Sequence, residues 1–199
     1  MQALGKGNIA RFVKLGLDLL LPMLWLYAGL LAVLGLAYAG VLIAISAGSV
    51  SPDLLRMTHQ MNFYLVPVRI QVEAGESLVW QVVLPVLLAA GVAVTGSIII
   101  VQRLRRLLPA FSGGEPFTLA NTKSLRTIWV TMMVMELARY AIFAVVATLV
   151  MLLGNPQGTP LQFSAPINFA TWGAIFILII LAEVLREGAR LKQEQELTI

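Results

Sequence analysis

The chain has no cysteine and a single histidine. The first absence excludes a disulfide framework and every thiolate metal site. The second leaves His59 with no other imidazole nearby, and metal centres draw on three or four such ligands. Charge is scarce as well. Charged residues fill 12% of the chain against 59% hydrophobic, whereas a soluble domain carries about a quarter charged residues. The shortfall must come from long uncharged runs. No nucleophile–base pair, metal cluster or cofactor loop is visible. No catalytic residue and no cofactor is therefore assigned, and the expectation is a protein that is not an enzyme.

The long apolar runs are Leu19–Ala47, Ser77–Gln102, Thr127–Leu153 and Asn168–Ala182. A helix needs roughly 20 mostly apolar residues to cross the hydrocarbon core. The first three runs suffice alone, and the fourth does once Val184 and Leu185 are added beyond Glu183. The first is also longer than the apolar region of a cleaved signal peptide, about 7–15 residues, and reads as a retained signal-anchor. Four crossings follow, at about 19–47, 77–102, 127–153 and 168–185. They leave loops at 48–76 and 154–167, a hinge at 103–126 and a tail at 186–199.

Lys and Arg orient membrane helices through their short flanking segments. Lys6, Arg11 and Lys14 precede the first crossing, and Arg103, Arg105, Arg106, Lys123 and Arg126 lie in the hinge. Arg186, Arg190 and Lys192 lie in the tail. Against these eleven, the other two loops hold only Arg56 and Arg69. The bias places both termini and the hinge in the cytoplasm, and the loops 48–76 and 154–167 outside. The basic sequence pI, about 9.8, is explained by this topology, so no direct contact with nucleic acid is expected.

The first turns carry Arg11, Lys14 and Asp18 as a polar stripe, which reads as an interfacial lead-in over residues 8–21. Pro22 then permits a bend into the crossing. In the first external loop Val66, Val68, Ile70 and Val72 alternate with Pro67, Arg69 and Gln71, a strand signature. Pro67 suits an edge position. Leu161, Phe163 and Ala165 alternate in the second external loop. Pairing of these two segments predicts a small two-stranded external β cap. Small residues at one-turn spacing, Ala89, Ala93 and Ser97 in the second crossing and Gly35 with Ala39 in the first, suggest helix contacts.

Two charges fall inside an apolar run. "MELARY" places Glu136 and Arg139 in the third crossing. With Trp129 at the interface, the helical rise sets them about 10 and about 15 Å deep. An ionisable group there costs at least ~2.5–3.5 kcal/mol on insertion scales, and i,i+3 spacing lets the two meet on one face. The pair is either an ion-linked switch or a satisfied pair that fixes how the helix faces its neighbours. No second buried carboxylate completes a proton relay, which counts against a pump.

The hinge contains "SGGEPFTLANTKSLRTI", whose glycines invite a phosphate-loop reading. A Walker-type loop needs Gly-Lys-Ser/Thr after a strand. Here the glycines lead into Glu115 and Pro116 and follow a helix ending "QRLRRLL". The stretch is a turn: Pro109 stops one helix, with Arg103, Arg105 and Arg106 at its C-terminus, and Thr118 caps the next.

"GEPFTLANTKSLRTI" and the terminal "LAEVLREGARLKQEQELTI" resemble the bacterial membrane family catalogued as domain of unknown function 2975. The likeness is carried by Pro116, Phe117, Asn121, Leu125 and Arg126, and by Glu183, Arg186, Gly188, Leu191, Glu196 and Leu197. The family brings no activity or catalytic residues. Its members are often encoded beside a small Cro-type helix-turn-helix regulator, which implies a regulatory pairing. In the tail, Leu181, Val184, Leu185, Gly188 and Leu191 follow helical spacing, so the fourth helix should run past the membrane surface and fray near Gln193. Glu183/Arg186 and Glu187/Arg190 sit at i,i+3.

The sequence therefore predicts an all-α membrane protein, a four-transmembrane-helix bundle with cytoplasmic termini and a small external β cap. The expected function is a bacterial inner-membrane regulator or sensor. It docks a soluble transcription regulator through Pro116, Phe117, Asn121, Arg126, Glu183, Arg186, Glu187 and Arg190, with the bilayer and a second copy of itself as further partners. The rival is a small transporter or channel component that uses Glu136 and Arg139.

Overall fold

The computed structural model describes residues 6–51, 61–65, 68–72, 80–112, 118–153 and 167–196. In chain order these form α1 (Lys6–Ser46), a strand pair β1 (Met61–Leu65) and β2 (Val68–Val72), α2 (Trp80–Ser112), α3 (Leu119–Leu153) and α4 (Phe169–Glu196). All four helices contain a stretch long and apolar enough to cross a membrane: Phe12–Ser46, Val83–Ala110, Leu119–Thr148 and Phe169–Gln195. The protein is multi-pass by that measure. Large side chains such as Phe12, Trp25, Leu36 and Phe169 stand exposed along them. In water such faces drive association; in hydrocarbon they are solvated.

Every helix is longer than its apolar run suggested. The segment 8–21 is no separate lead-in but the first turns of α1, which passes through Pro22 unbroken. Pro22 removes one backbone donor, the one aimed at the Asp18 carbonyl, and α1 tolerates the loss. Likewise α2 continues past Pro109 to Ser112. Pro109 and Arg105, whose carbonyl it leaves without its usual partner, are both exposed. Arg103, Arg105 and Arg106 therefore lie before the last turn of α2, which holds no basic residue. The hinge contracts accordingly: residues 103–112 belong to α2 and 119–126 to α3, while residues 113–117 lie outside the described residues.

Two ends follow local rules closely. At the end of α1, Gly48 takes φ 71°. Its N–H donates to the Ile45 carbonyl (3.0 Å) and Ser49 N–H to Ala44 (3.0 Å). This is the paired arrangement that glycine permits at C′. At the start of α3, Asn121 N–H reaches the Thr118 hydroxyl oxygen at 3.3 Å, so Thr118 is the N-cap that the sequence indicated.

β1 and β2 pair antiparallel, with Leu65 opposite Val68, Phe63 opposite Ile70 and Met61 opposite Val72. The strand expected near 66–72 is thus present from Val68, but its partner is the segment just before it. Leu161, Phe163 and Ala165, the expected partner, lie outside the described residues, as do Val66 and Pro67. A hairpin joins neighbours in sequence and closes a far smaller loop than a pairing across two crossings.

The chain divides into two compact units, Met1–Leu26 with Val94–Met135 and Phe169–Ile199, and Tyr27–Ala93 with Glu136–Asn168. In the first, Leu107 of α2, Leu125 and Ile128 of α3, and Ala182 and Leu185 of α4 form one buried cluster, flanked by Leu104, Trp129 and Leu178. Ile175, Ala182, Leu185 and Ala189 are the buried positions of α4, and Leu181, Val184 and Leu191 are exposed. Of the residues whose helical spacing marked a continuing α4, Leu185 is the buried one, and α4 does continue, to Glu196. Small alanines let backbones approach, and lipid solvates the larger residues equally well outside. On α2, Gly96 is buried, and a Cβ there would overlap the Met135 side chain of α3. Asp18 of α1 and Arg105 of α2 form an ion pair at 2.6 Å, each side chain about two-fifths exposed. Arg105→Gln is expected to cost less than about 1 kcal/mol, as exposed pairs do; a thermal melt of the detergent-solubilised protein checks it.

In the second unit Pro85 and Ala89 of α2 and Phe143 of α3 are buried. A Cβ on Gly35 of α1 would meet Leu87 of α2 at 3.9 Å, ordinary contact. The expected Ala89, Ala93, Ser97 seam holds only in part: Ala89 is buried, Ser97 half-buried and Ala93 exposed.

Candidate functional site: a basic groove on α3 and α4

Thr118 starts α3 so that Lys123 and Arg126 project from its first two turns and are exposed. α4 stays helical to Glu196, which sets Glu183 and Arg186 on one side. In the first unit these four side chains line a groove of about 410 Å³, with Trp129, Ile179 and Ala182 among its apolar walls. Glu183 and Arg186 pair at 2.5 Å. Lys123 and Arg126 form no ion pair among the described residues. The groove therefore holds two uncompensated positive charges above an apolar floor.

Of the residues expected to form a partner surface, the structure brings Arg126, Glu183 and Arg186 together here. Glu187 and Arg190 lie one turn further along α4, exposed and paired at 3.1 Å, and Arg190 also reaches Glu194 at 3.3 Å. Asn121 is different. It is buried, 5% exposed, on the stripe that continues through Leu125 and Ile128, so its side chain is part of the packing rather than of a surface. Pro116 and Phe117 lie outside the described residues. Lys123 and Trp129, which complete the groove, were not singled out as site residues. Helical spacing from Arg126 in both directions marks them as its neighbours on α3.

A family model described as Protein of unknown function (DUF2975) matches residues 56–199, well over half of the chain. The chain belongs to that family. The matched region contains the groove residues of both helices. No curated protein and no solved structure matches the chain.

The second charged feature is in the other unit. Glu136 is buried, and its carboxylate accepts a hydrogen bond from Arg139 within α3. Side-chain exposure is 6% for Glu136 and 17% for Arg139, so the pair is removed from solvent. The Arg139 guanidinium carbon lies 5.4 Å from the centre of the Tyr140 ring, within cation–π range. The Tyr140 hydroxyl has no hydrogen-bond partner among the described residues. No group of three metal-ligating side chains occurs among the described residues.

Proposed function

We propose that this protein is a non-enzymatic regulator or sensor of the bacterial cytoplasmic membrane that docks a soluble transcription regulator on its cytoplasmic face. Both termini lie in the cytoplasm on this reading, as the Lys/Arg bias favours, and the β1–β2 hairpin caps the outer face. The observation that supports docking most is the gathering of Arg126, Glu183 and Arg186 from two helices in one groove, continued by Glu187 and Arg190 along an exposed, helical tail. Such a surface presents alternating charges on a preformed helix, which suits a polar partner and gives specificity through charge register. The test is capture from cross-linked membranes with the full chain and with a chain truncated after Leu185. A DNA-binding protein of the helix-turn-helix kind should be recovered with the first and lost with the second. Clean capture without such a protein overturns the docking reading.

A second reading rests on the Glu136–Arg139 pair. Ionisable side chains at membrane depth are functional candidates, and a small transporter or channel component is the class they indicate. Substitution of Glu136 separates the two: Glu136→Gln should leave capture intact and abolish flux only if transport is the function.

A further inference from the structure

We propose that the groove on α3 and α4 is a binding site for the headgroup of an anionic phospholipid. The inference goes beyond partner docking and stands on the groove's own chemistry. Three cations converge on it: Lys123 and Arg126 from α3, and Arg186 from α4. Glu183 offsets Arg186 by pairing with it, and the other two carry no ion pair among the described residues. The local balance is two net positive charges, matched to a phosphodiester that carries one negative charge. A lone lysine binds phosphate as a point charge, whereas arginine presents a fork that fits two phosphate oxygens. Arg126 supplies such a fork.

The walls select a lipid over a free phosphate. Trp129, Ile179 and Ala182 make the lining apolar, and the groove lies where the apolar runs of α3 and α4, Thr127–Leu153 and Asn168–Ala182, meet the charged ends of the same helices. Tryptophan is enriched at the headgroup level of bilayers. Basic pockets between membrane helices hold lipid headgroups by this combination. Acyl chains then continue along the exposed apolar side chains of α4, such as Phe176 and Ile180.

The experiment is native mass spectrometry of the full chain released from mixed micelles containing equal phosphatidylglycerol and phosphatidylcholine. Wild type is expected to retain phosphatidylglycerol preferentially, and K123Q/R126Q to lose the preference by about fivefold per charge removed. Arg106→Gln takes one charge, as K123Q or R126Q alone does, from an exposed position on α2 outside the groove and should leave retention unchanged. Absence of preference in wild type overturns the proposal. So does an equal loss in R106Q, which means diffuse surface attraction. Displacement by millimolar inorganic phosphate also overturns it, since the ligand is then a soluble anion. Lys123 and Arg126 are exposed, and the single variants K123Q and R126Q give the same readout where the double variant does not fold. The lipid site and the proposed docking surface share Arg126, Glu183 and Arg186, but the two readings fail separately: lipid retention is read on the purified chain with no partner present, and partner capture is read on the full chain in its membrane.

Discussion

Arg139→Met lowers the stability of the protein by about 3–5 kcal/mol, the cost of leaving one member of a buried ion pair without the other. Glu136 is 4% exposed and its carboxylate is held by the Arg139 guanidinium one helical turn away. Removing the guanidinium leaves the buried carboxylate without that bond. The loss should be visible as a large fall in the thermal midpoint of the detergent-solubilised protein. The double variant Glu136→Leu/Arg139→Met removes both charges and keeps similar volume. Buried pairs replaced in this way are neutral or stabilising, so the double variant should recover most of the lost stability. A double variant as unstable as Arg139→Met shows instead that the pair's contacts with neighbouring helices, not its internal compensation, hold the structure. Recovery together with unchanged partner capture assigns the pair a structural role.

Gly96→Val is the second large effect. Gly96 is buried on α2, and the thioether of Met135 fills the space where a Cβ would stand. Overpacking of this kind costs about 1–3 kcal/mol. A branched side chain adds two further methyl groups where even one carbon does not fit. Methionine is flexible and can rotate aside, so Gly96→Ala should cost less than Gly96→Val. Met135→Ala opens the space and should rescue Gly96→Val in part, a coupling that a double-mutant cycle measures directly. If Gly96→Val melts with wild type, the α2–α3 approach at this position is wrong.

The four long apolar helices were legible because hydrocarbon demands long apolar runs, and the chain has four of them. Helix ends were less so. Charged residues such as Arg103, Arg105 and Arg106 end an apolar run without ending a helix, and neither Pro22 nor Pro109 interrupts its helix. Thr118 was readable because a cap is a local arrangement of one side chain and one N–H. The inward face of each helix was the hardest to read. In lipid, Leu181 and Val184 gain nothing by facing inward, so apolar spacing marked α4 as a continuing helix without marking its packed face, where Ala182, Leu185 and Ala189 lie. Glu136 and Arg139 were found for the opposite reason, since charge is costly at that depth. The groove was half legible. Arg126, Glu183 and Arg186 were named, but their convergence depends on how α3 and α4 pack. Asn121 was assigned to a surface by its place in a motif, and packing alone shows it buried.

The proposed docking surface can be tested at a single position. A photo-reactive residue placed at Glu187, on the exposed tail of α4, should cross-link a soluble DNA-binding protein in intact cells. The same residue at Phe176, exposed on the apolar stretch of the same helix, should yield lipid adducts only. That contrast is the result expected of a membrane-held docking helix. Lipid adducts from Phe176 with no soluble protein from Glu187 would contradict the account, because the chain would be correctly inserted and its tail unoccupied.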